Sequence, residues 1–129
     1  MIIDVRAAMP DPRVFFAAER TLLAWVRTGI TVIALGFVVA RFGLFLRVLS
    51  SQLGSSAPPH SSPGTSTILG ILLTLLGTTA IVVAVVQYRG FISTLPAEDL
   101  PARHRPSVTV TFALAFASCG VVLAIYLAQ

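Results

Sequence analysis

The chain has 129 residues, a length typical of one domain, and 56% of them are hydrophobic while 11% are charged. Its mean hydropathy is +0.91, whereas soluble domains carry about 25% charged residues. This composition excludes a disordered chain, a nucleic-acid-binding tail and an ordinary water-soluble enzyme, and it predicts a small all-α integral membrane protein. The net charge is +4, and the nine basic residues are all arginines. Because these arginines flank apolar segments, the expected partners are anionic lipid head groups or an anionic solute, not nucleic acid.

The first predicted helix follows residues 1–11, which we expect to form a loosely held cytoplasmic tail. Asp11 and Pro12 are typical of a helix start, and a helix from Pro12 to Leu46 would be roughly 50 Å long. Since a membrane core is about 30 Å thick, we assign the crossing to residues 27–46 and the preceding segment to an amphipathic extension at the interface. Three aromatic residues of that extension are expected at head-group level: Phe15, Phe16 and Trp25.

Two further apolar blocks, residues 66–88 and 107–128, each exceed the about 20 residues that cross a membrane as a helix. Residues 12–129 therefore form a predicted three-helix membrane domain. Arginines are concentrated in the N-terminal segment and in the connection between the second and third spans. The positive-inside rule then places the N-terminus in the cytoplasm and the C-terminus outside.

Four arginines of the first helix are separated by multiples of seven residues, and they fall within an arc of roughly 80° on one face: Arg13, Arg20, Arg27 and Arg41. They can snorkel to lipid phosphates, pair with acids such as Glu19, Glu98 or Asp99, or line a wet cavity that selects anions. Charge inside a membrane is costly and usually functional, a principle that applies most strongly to Arg41.

Small residues form stripes on all three predicted helices, including Gly29, Gly36 and Gly43 about 200° from the arginine face of the first. Such residues let membrane helices approach closely. We predict that they pack on neighbouring helices and that surplus small faces join copies in a homo-oligomer, with a ring of about five chains as one arrangement. The glycines expected at helix contacts in the other two helices are Gly70, Gly77 and Gly120.

Residue sets with catalytic or metal-binding spacing are missing from the sequence. His60 stands alone in the predicted outer loop, and Cys119, the single cysteine, is interpreted as a small packing residue. We therefore expect no enzyme, no cofactor and no metal site.

The segment from Asp11 to Thr28 carries Glu-Arg-Thr at 19–21, Ala-Trp at 24–25 and Arg-Thr at 27–28. In these residues the chain resembles the YidH-like family (domain of unknown function 202). The stretch from Gly36 to Gly43 is similar to bacterial members as well. The resemblance implies a small bacterial inner-membrane protein with three spans.

The same domain resembles the membrane portion of the eukaryotic vacuolar transporter chaperone complex. That complex makes polyphosphate and passes it through a pore built from several three-helix subunits. The resemblance implies that Arg13, Glu19 and Arg20 are pore-entrance residues. It fixes no role for Arg27 or Arg41.

Our leading hypothesis is an oligomeric membrane pore or transport-associated module for anions such as phosphate or polyphosphate, in which Glu19 holds Arg20 in place. The alternative is an accessory inner-membrane protein that binds anionic lipid and docks a cytoplasmic partner. The candidate pore-lining residues are Arg13, Glu19, Arg20, Arg27, Arg41 and, by its position after the second span, Arg89.

Overall fold

The protein is built from three long α-helices, seen in a computed structural model that describes residues 12–54, 64–95 and 106–129. They are α1 (Pro12–Gln52), α2 (Thr65–Thr94) and α3 (Pro106–Ala128), and the described residues contain no strand. Each helix is long and apolar enough to cross a membrane. The predicted all-α architecture with three spans is therefore confirmed, and the chain is a multi-pass membrane protein.

The first helix is continuous over 41 residues, a length of about 61 Å and roughly twice the thickness of a membrane core. It begins at the predicted Pro12 and runs past the predicted end at Leu46. No proline or other break interrupts it, so the interfacial extension and the membrane span form a single rod.

The second helix is longer than predicted and corrects the position of one arginine. It continues beyond Tyr88 to Thr94, so Arg89 lies within α2 and not in a connection. No proline occurs in this stretch before Pro96, and Leu95 is already extended, with φ −77° and ψ 138°. Such a conformation is favoured in the residue before a proline, which explains why α2 ends here.

Helices α1 and α2 pack through glycines that bring their backbones into direct contact. A Cβ atom placed on Gly36 would lie 2.6 Å from the carbonyl oxygen of Gly70, and one placed on Gly70 would lie 2.5 Å from that of Gly36. Gly29 and Gly77 make the same reciprocal contact one heptad away. We call these two pairs, Gly36–Gly70 and Gly29–Gly77, the glycine seam.

The small residues at either side of the glycine seam also face neighbouring helices. Gly43 lies against Ser66 of α2, and Gly120 of α3 lies against Thr78 of α2. The alanines of α3 that share the face of Gly120 are buried: Ala113, Ala117 and Ala124. The sequence analysis assigned surplus small-residue faces to contacts between subunits. In the structure, the small-residue faces named here pack between helices of the same chain.

Two threonines sit in the middle of the bundle without leaving an unsatisfied hydroxyl. Thr74 and Thr78 are buried on α2, and each donates a hydrogen bond to a carbonyl oxygen one turn earlier, at 2.9 and 2.8 Å. Such bonds satisfy the hydroxyl inside its own helix. Ile81, completely buried, lies in a core cluster that extends to Leu22 of α1 and Ala113 of α3.

Replacing Gly36 by alanine is expected to destabilise the bundle by about 1–3 kcal/mol, because the added methyl group meets a backbone oxygen that cannot move away. Thermal unfolding in detergent, followed by circular dichroism, measures this change. Gly90→Ala is the matched control, since a Cβ atom at Gly90 meets nothing within 4 Å. Alanine is the better helix former there, so equal melting temperatures for the two variants would contradict the glycine seam.

Candidate functional site

Three of the predicted arginines form a row on the exposed face of α1. Arg13, Arg20 and Arg27 are all exposed, and successive members are separated by about 10.5 Å along the helix axis. Gly29 and Gly36, on the opposite side of α1, are buried against α2. We call the three residues the arginine ladder; packing of the glycine seam turns it away from the other two helices.

The ladder is rich in hydrogen-bond donors, and acids are rare in the part of the chain that the structure describes. Glu19 is the only acidic residue among those that the structure describes, and in that part of the chain no ion pair joins it to Arg20. The proposed partners Glu98 and Asp99 lie outside the described residues. Guanidinium groups presented in this way are suited to oxyanions, which they bind with two parallel hydrogen bonds.

Glu19 has a different partner from the one that the sequence suggested. It is half-buried on the side of α1 that faces α3, where one carboxylate oxygen accepts a hydrogen bond of 2.7 Å from the Thr109 hydroxyl. The carboxylate therefore ties α1 to the beginning of α3. In this structure it does not hold Arg20, as the leading hypothesis required.

A tyrosine from the remaining helix completes this arrangement. Tyr88 of α2 is 6% exposed, and its hydroxyl has no hydrogen-bond partner among the described residues. Tyr88 belongs to the core cluster, and Ala18 and Val110, the chain neighbours of Glu19 and Thr109, pack against that cluster. Each helix thus contributes one residue to a polar cluster (Glu19, Tyr88 and Thr109) at the N-terminal end of the bundle, where α1 and α3 begin and α2 ends.

An apolar groove of about 350 Å³ runs between α1 and α2 at the same end. Leu22, Trp25 and Phe91 contribute to its walls, and Thr21 and Gln87 add polar atoms. A second hollow of about 200 Å³ shares Trp25 and Gln87 and extends along α2. These surfaces provide apolar contact area beside the polar cluster.

Arg41 does not continue the arginine ladder. It is half-buried and donates a hydrogen bond to the hydroxyl of Tyr126 on α3. Its guanidinium carbon lies 5.0 Å from the centroid of that ring and 5.9 Å from that of Phe37. The cumulative drift of a heptad series around a straight helix turns Arg41 toward α3.

The aromatic residues predicted at head-group level divide into two groups. Phe16 and Trp25 are about half exposed, at 49% and 51%, whereas Phe15 is only 4% exposed. Phe15 therefore faces the bundle and not the lipid, a correction that follows from its place on the same helix face as Leu22. Arg89 is exposed on α2, a different helix from the ladder.

Sequence reasoning missed the partners that α2 and α3 provide. Thr109 and Tyr126 contact charged residues of α1 that are 90 and 85 positions away. The sequence signal that could have indicated these partners is a polar or amphipathic residue near each end of an otherwise apolar helix. Such residues often form hydrogen bonds to a neighbouring helix. No cluster of three metal-ligating side chains occurs in the part that the structure describes.

Replacing Thr109 by valine is expected to lower stability by about 1–3 kcal/mol, because the Glu19 carboxylate loses its donor in a half-buried place. Thermal unfolding of the detergent-solubilised chain measures the effect. Thr109→Ser keeps the hydroxyl and serves as the control. If the valine and serine variants melt at the same temperature, the hydrogen bond does not join α1 to α3 as described.

Comparison with known protein families gives a match to the first two helices. The family described as "Domain of unknown function (DUF202)" matches residues 13–94, more than half of the chain. The matched segment contains the arginine ladder, the glycine seam and the groove between α1 and α2. Comparison with curated proteins and with solved structures found no match.

Proposed function

The chain belongs to the DUF202 family, and we propose that it is an anion-binding membrane module whose arginine ladder collects phosphate-bearing anions at the cytoplasmic membrane surface. The observation that carries this proposal is the placement of Arg13, Arg20 and Arg27 on one exposed face of α1. The excess of arginine at this end of the chain favours its cytoplasmic orientation.

The spacing of the ladder favours extended or repeated anions over a single small one. Neighbouring rungs are about 10.5 Å apart along the helix axis, a spacing that lets each rung bind a phosphate group of its own. A polyphosphate chain or a row of lipid phosphates can contact several rungs at once. Each guanidinium then offers a planar pair of donors to a separate phosphate group.

A passage for these anions would have to form between chains. The interior of one chain is filled, with Thr74, Ile81 and Ala113 completely buried, and the ladder lies on the outside. We propose that several copies assemble with their ladders around a shared opening, which makes the module part of a transport system. Beyond Arg27 the same face is apolar, since Val38 and Phe45 are 58% and 59% exposed.

This apolar continuation favours a position of the ladder at the entrance of such a passage over a position along its full length. An apolar constriction excludes ions unless it widens and becomes wet. In the proposed assembly the arginines therefore concentrate anions at a mouth, and the segment around Val38 and Phe45 forms the barrier that must open.

A second candidate function is an accessory protein that binds anionic lipid. The observation that favours it is the exposure of Phe16 and Trp25 on the segment that carries the ladder. Aromatic rings and arginines together are typical of the membrane interface, where the guanidinium groups contact lipid phosphates. In this reading the apolar face beyond Arg27 contacts acyl chains and no opening exists.

The double variant Arg20→Ala and Arg27→Ala is expected to weaken binding of inorganic polyphosphate by about tenfold or more, because each arginine supplies a charge-assisted contact. Binding is measured with the full chain in phosphatidylcholine nanodiscs. The charge-matched control is Arg47→Ala, which also removes one arginine but at the far end of α1. It is compared with the single variant Arg20→Ala. Unchanged polyphosphate affinity in a correctly folded double variant would overturn the proposal.

Flux measurements in liposomes and native mass spectrometry distinguish the two candidate functions. A shared opening requires an assembly of four or more chains and polyphosphate flux that Arg20→Ala reduces. Monomers or dimers that retain anionic lipid but show no flux would favour the accessory function. In both cases the ladder binds phosphate groups, so polyphosphate affinity tests the shared part of the proposal.

A further inference from the structure

The face of α1 that continues the arginine ladder carries apolar side chains at heptad spacing. They follow one another at alternating steps of three and four residues and lie within an arc of roughly 80° on the helix. Each of them is between 40% and 59% exposed, so the described chain leaves them largely uncovered. We call this row the apolar seam; its members are Leu35, Val38, Phe42, Phe45 and Leu49.

The C-terminal part of the apolar seam extends beyond the other two helices. Because the glycine seam fixes the register of α1 and α2, the start of α2 at Thr65 is level with Arg41 of α1. Arg41 also bonds to Tyr126, which lies in the last turn of α3. Both neighbours therefore end near the level of Arg41, whereas α1 continues to Gln52, about 16 Å further along its axis.

A bilayer that matches α2 and α3 leaves this part of α1 outside its core. The charge-free segments 66–88 and 107–128 are each about 33–35 Å long as helices, close to the about 30 Å of a membrane core. Such a core ends near Arg41, so Phe42, Phe45 and Leu49 project past it. A contiguous apolar surface outside a membrane marks a site of interaction. The helix cannot lay this surface on the membrane, because α1 has no break at which it could turn.

A second copy of the chain is the occupant that fits the apolar seam. A heptad row packs against another heptad row, because each side chain enters a hole between four residues of the facing helix. Copies inserted by the same charge rule share one orientation, so every α1 presents the same row in the same direction and at the same depth. The rings of Phe42 and Phe45 stack with their centroids 6.4 Å apart, which makes the row a continuous surface.

We infer that copies of this chain assemble through the apolar seam, which forms a parallel coiled coil of α1 helices that continues beyond the membrane core. Arg20 and Arg27 lie on the same side of α1, so this coiled coil brings the ladders of neighbouring chains together. The inference names the surface that joins the copies in the proposed function and rests on it in that respect. Its own evidence is the spacing, exposure and projection of the seam.

Cysteine cross-linking tests which side of α1 meets another copy. The full chain is reconstituted in phosphatidylcholine liposomes with Cys119→Ala, which removes the single native cysteine. Leu49→Cys places a thiol on the apolar seam, and Ser51→Cys places one at nearly the same height on the opposite side of the helix. Oxidation is expected to link copies about fivefold or more efficiently through Leu49→Cys, because a disulfide forms only between thiols that lie close together. Equal linkage at the two positions, or none at Leu49→Cys, would overturn the inference.

A charge placed on the apolar seam is expected to separate the copies. Leu49→Glu sets like charges against one another at every contact, and native mass spectrometry from nanodiscs should show assemblies replaced by monomers. Ser51→Glu adds the same charge on the opposite side and should leave the assembly unchanged. Circular dichroism reports whether both variants still form the bundle, and the cross-linking result decides the matter if Leu49→Glu does not fold. Unaltered assembly of a folded Leu49→Glu chain contradicts the inference, as does a monomeric unsubstituted chain.

Polyphosphate affinity separates a failure of this inference from a failure of the proposed function. The substitutions at residues 49 and 51 leave all three arginines of the ladder in place. A chain that assembles through the apolar seam but does not bind polyphosphate supports the inference and contradicts the proposed function. A monomeric chain that binds polyphosphate overturns the inference and leaves anion binding by the ladder intact.

Discussion

The contact between Gly36 and Gly70 determines which face of α1 is available for anions. Backbones this close tolerate no side chain at either position, so α1 has one rotational setting against α2. The opposite face, with Arg13, Arg20 and Arg27, is consequently directed outward. The arrangement explains how a chain with so few charged residues gathers several of them on one surface, because the packing of the opposite, small-residue face sets their direction.

The third helix makes a polar contact with α1 near each of its two ends. Thr109 bonds to Glu19 at one end, and Tyr126 bonds to Arg41 at the other, whereas the middle of α3 packs on α2 through Gly120. Both charged members come from α1 and both neutral members from α3. Neutral hydroxyl groups thereby hydrogen-bond both charged groups without cancelling their charge.

The sequence was sufficient to predict the three helices, the start of α1 at Pro12 and the packing of Gly29 and Gly36, because length, hydropathy and heptad spacing are local properties. It was insufficient to predict the partners of Glu19 and Arg41, because these partners depend on how α3 is rotated about its own axis. It also misplaced Phe15, because an aromatic ring near the membrane surface suits both lipid and protein contact. The predicted connection at Arg89 was wrong, since hydropathy marks where a membrane core ends and not where a helix ends.

The three helices differ greatly in length, with 41, 30 and 23 residues. A bilayer that matches α3, about 34 Å long, is much thinner than α1 is long. Hydrophobic mismatch is relieved by tilting, and a long helix tilts more than a short one. Because α1 has no internal break, a change in bilayer thickness moves Arg13 and Arg47 together as the ends of one rigid rod. Membrane thickness therefore sets the depth of Arg13 and Arg47 at the same time.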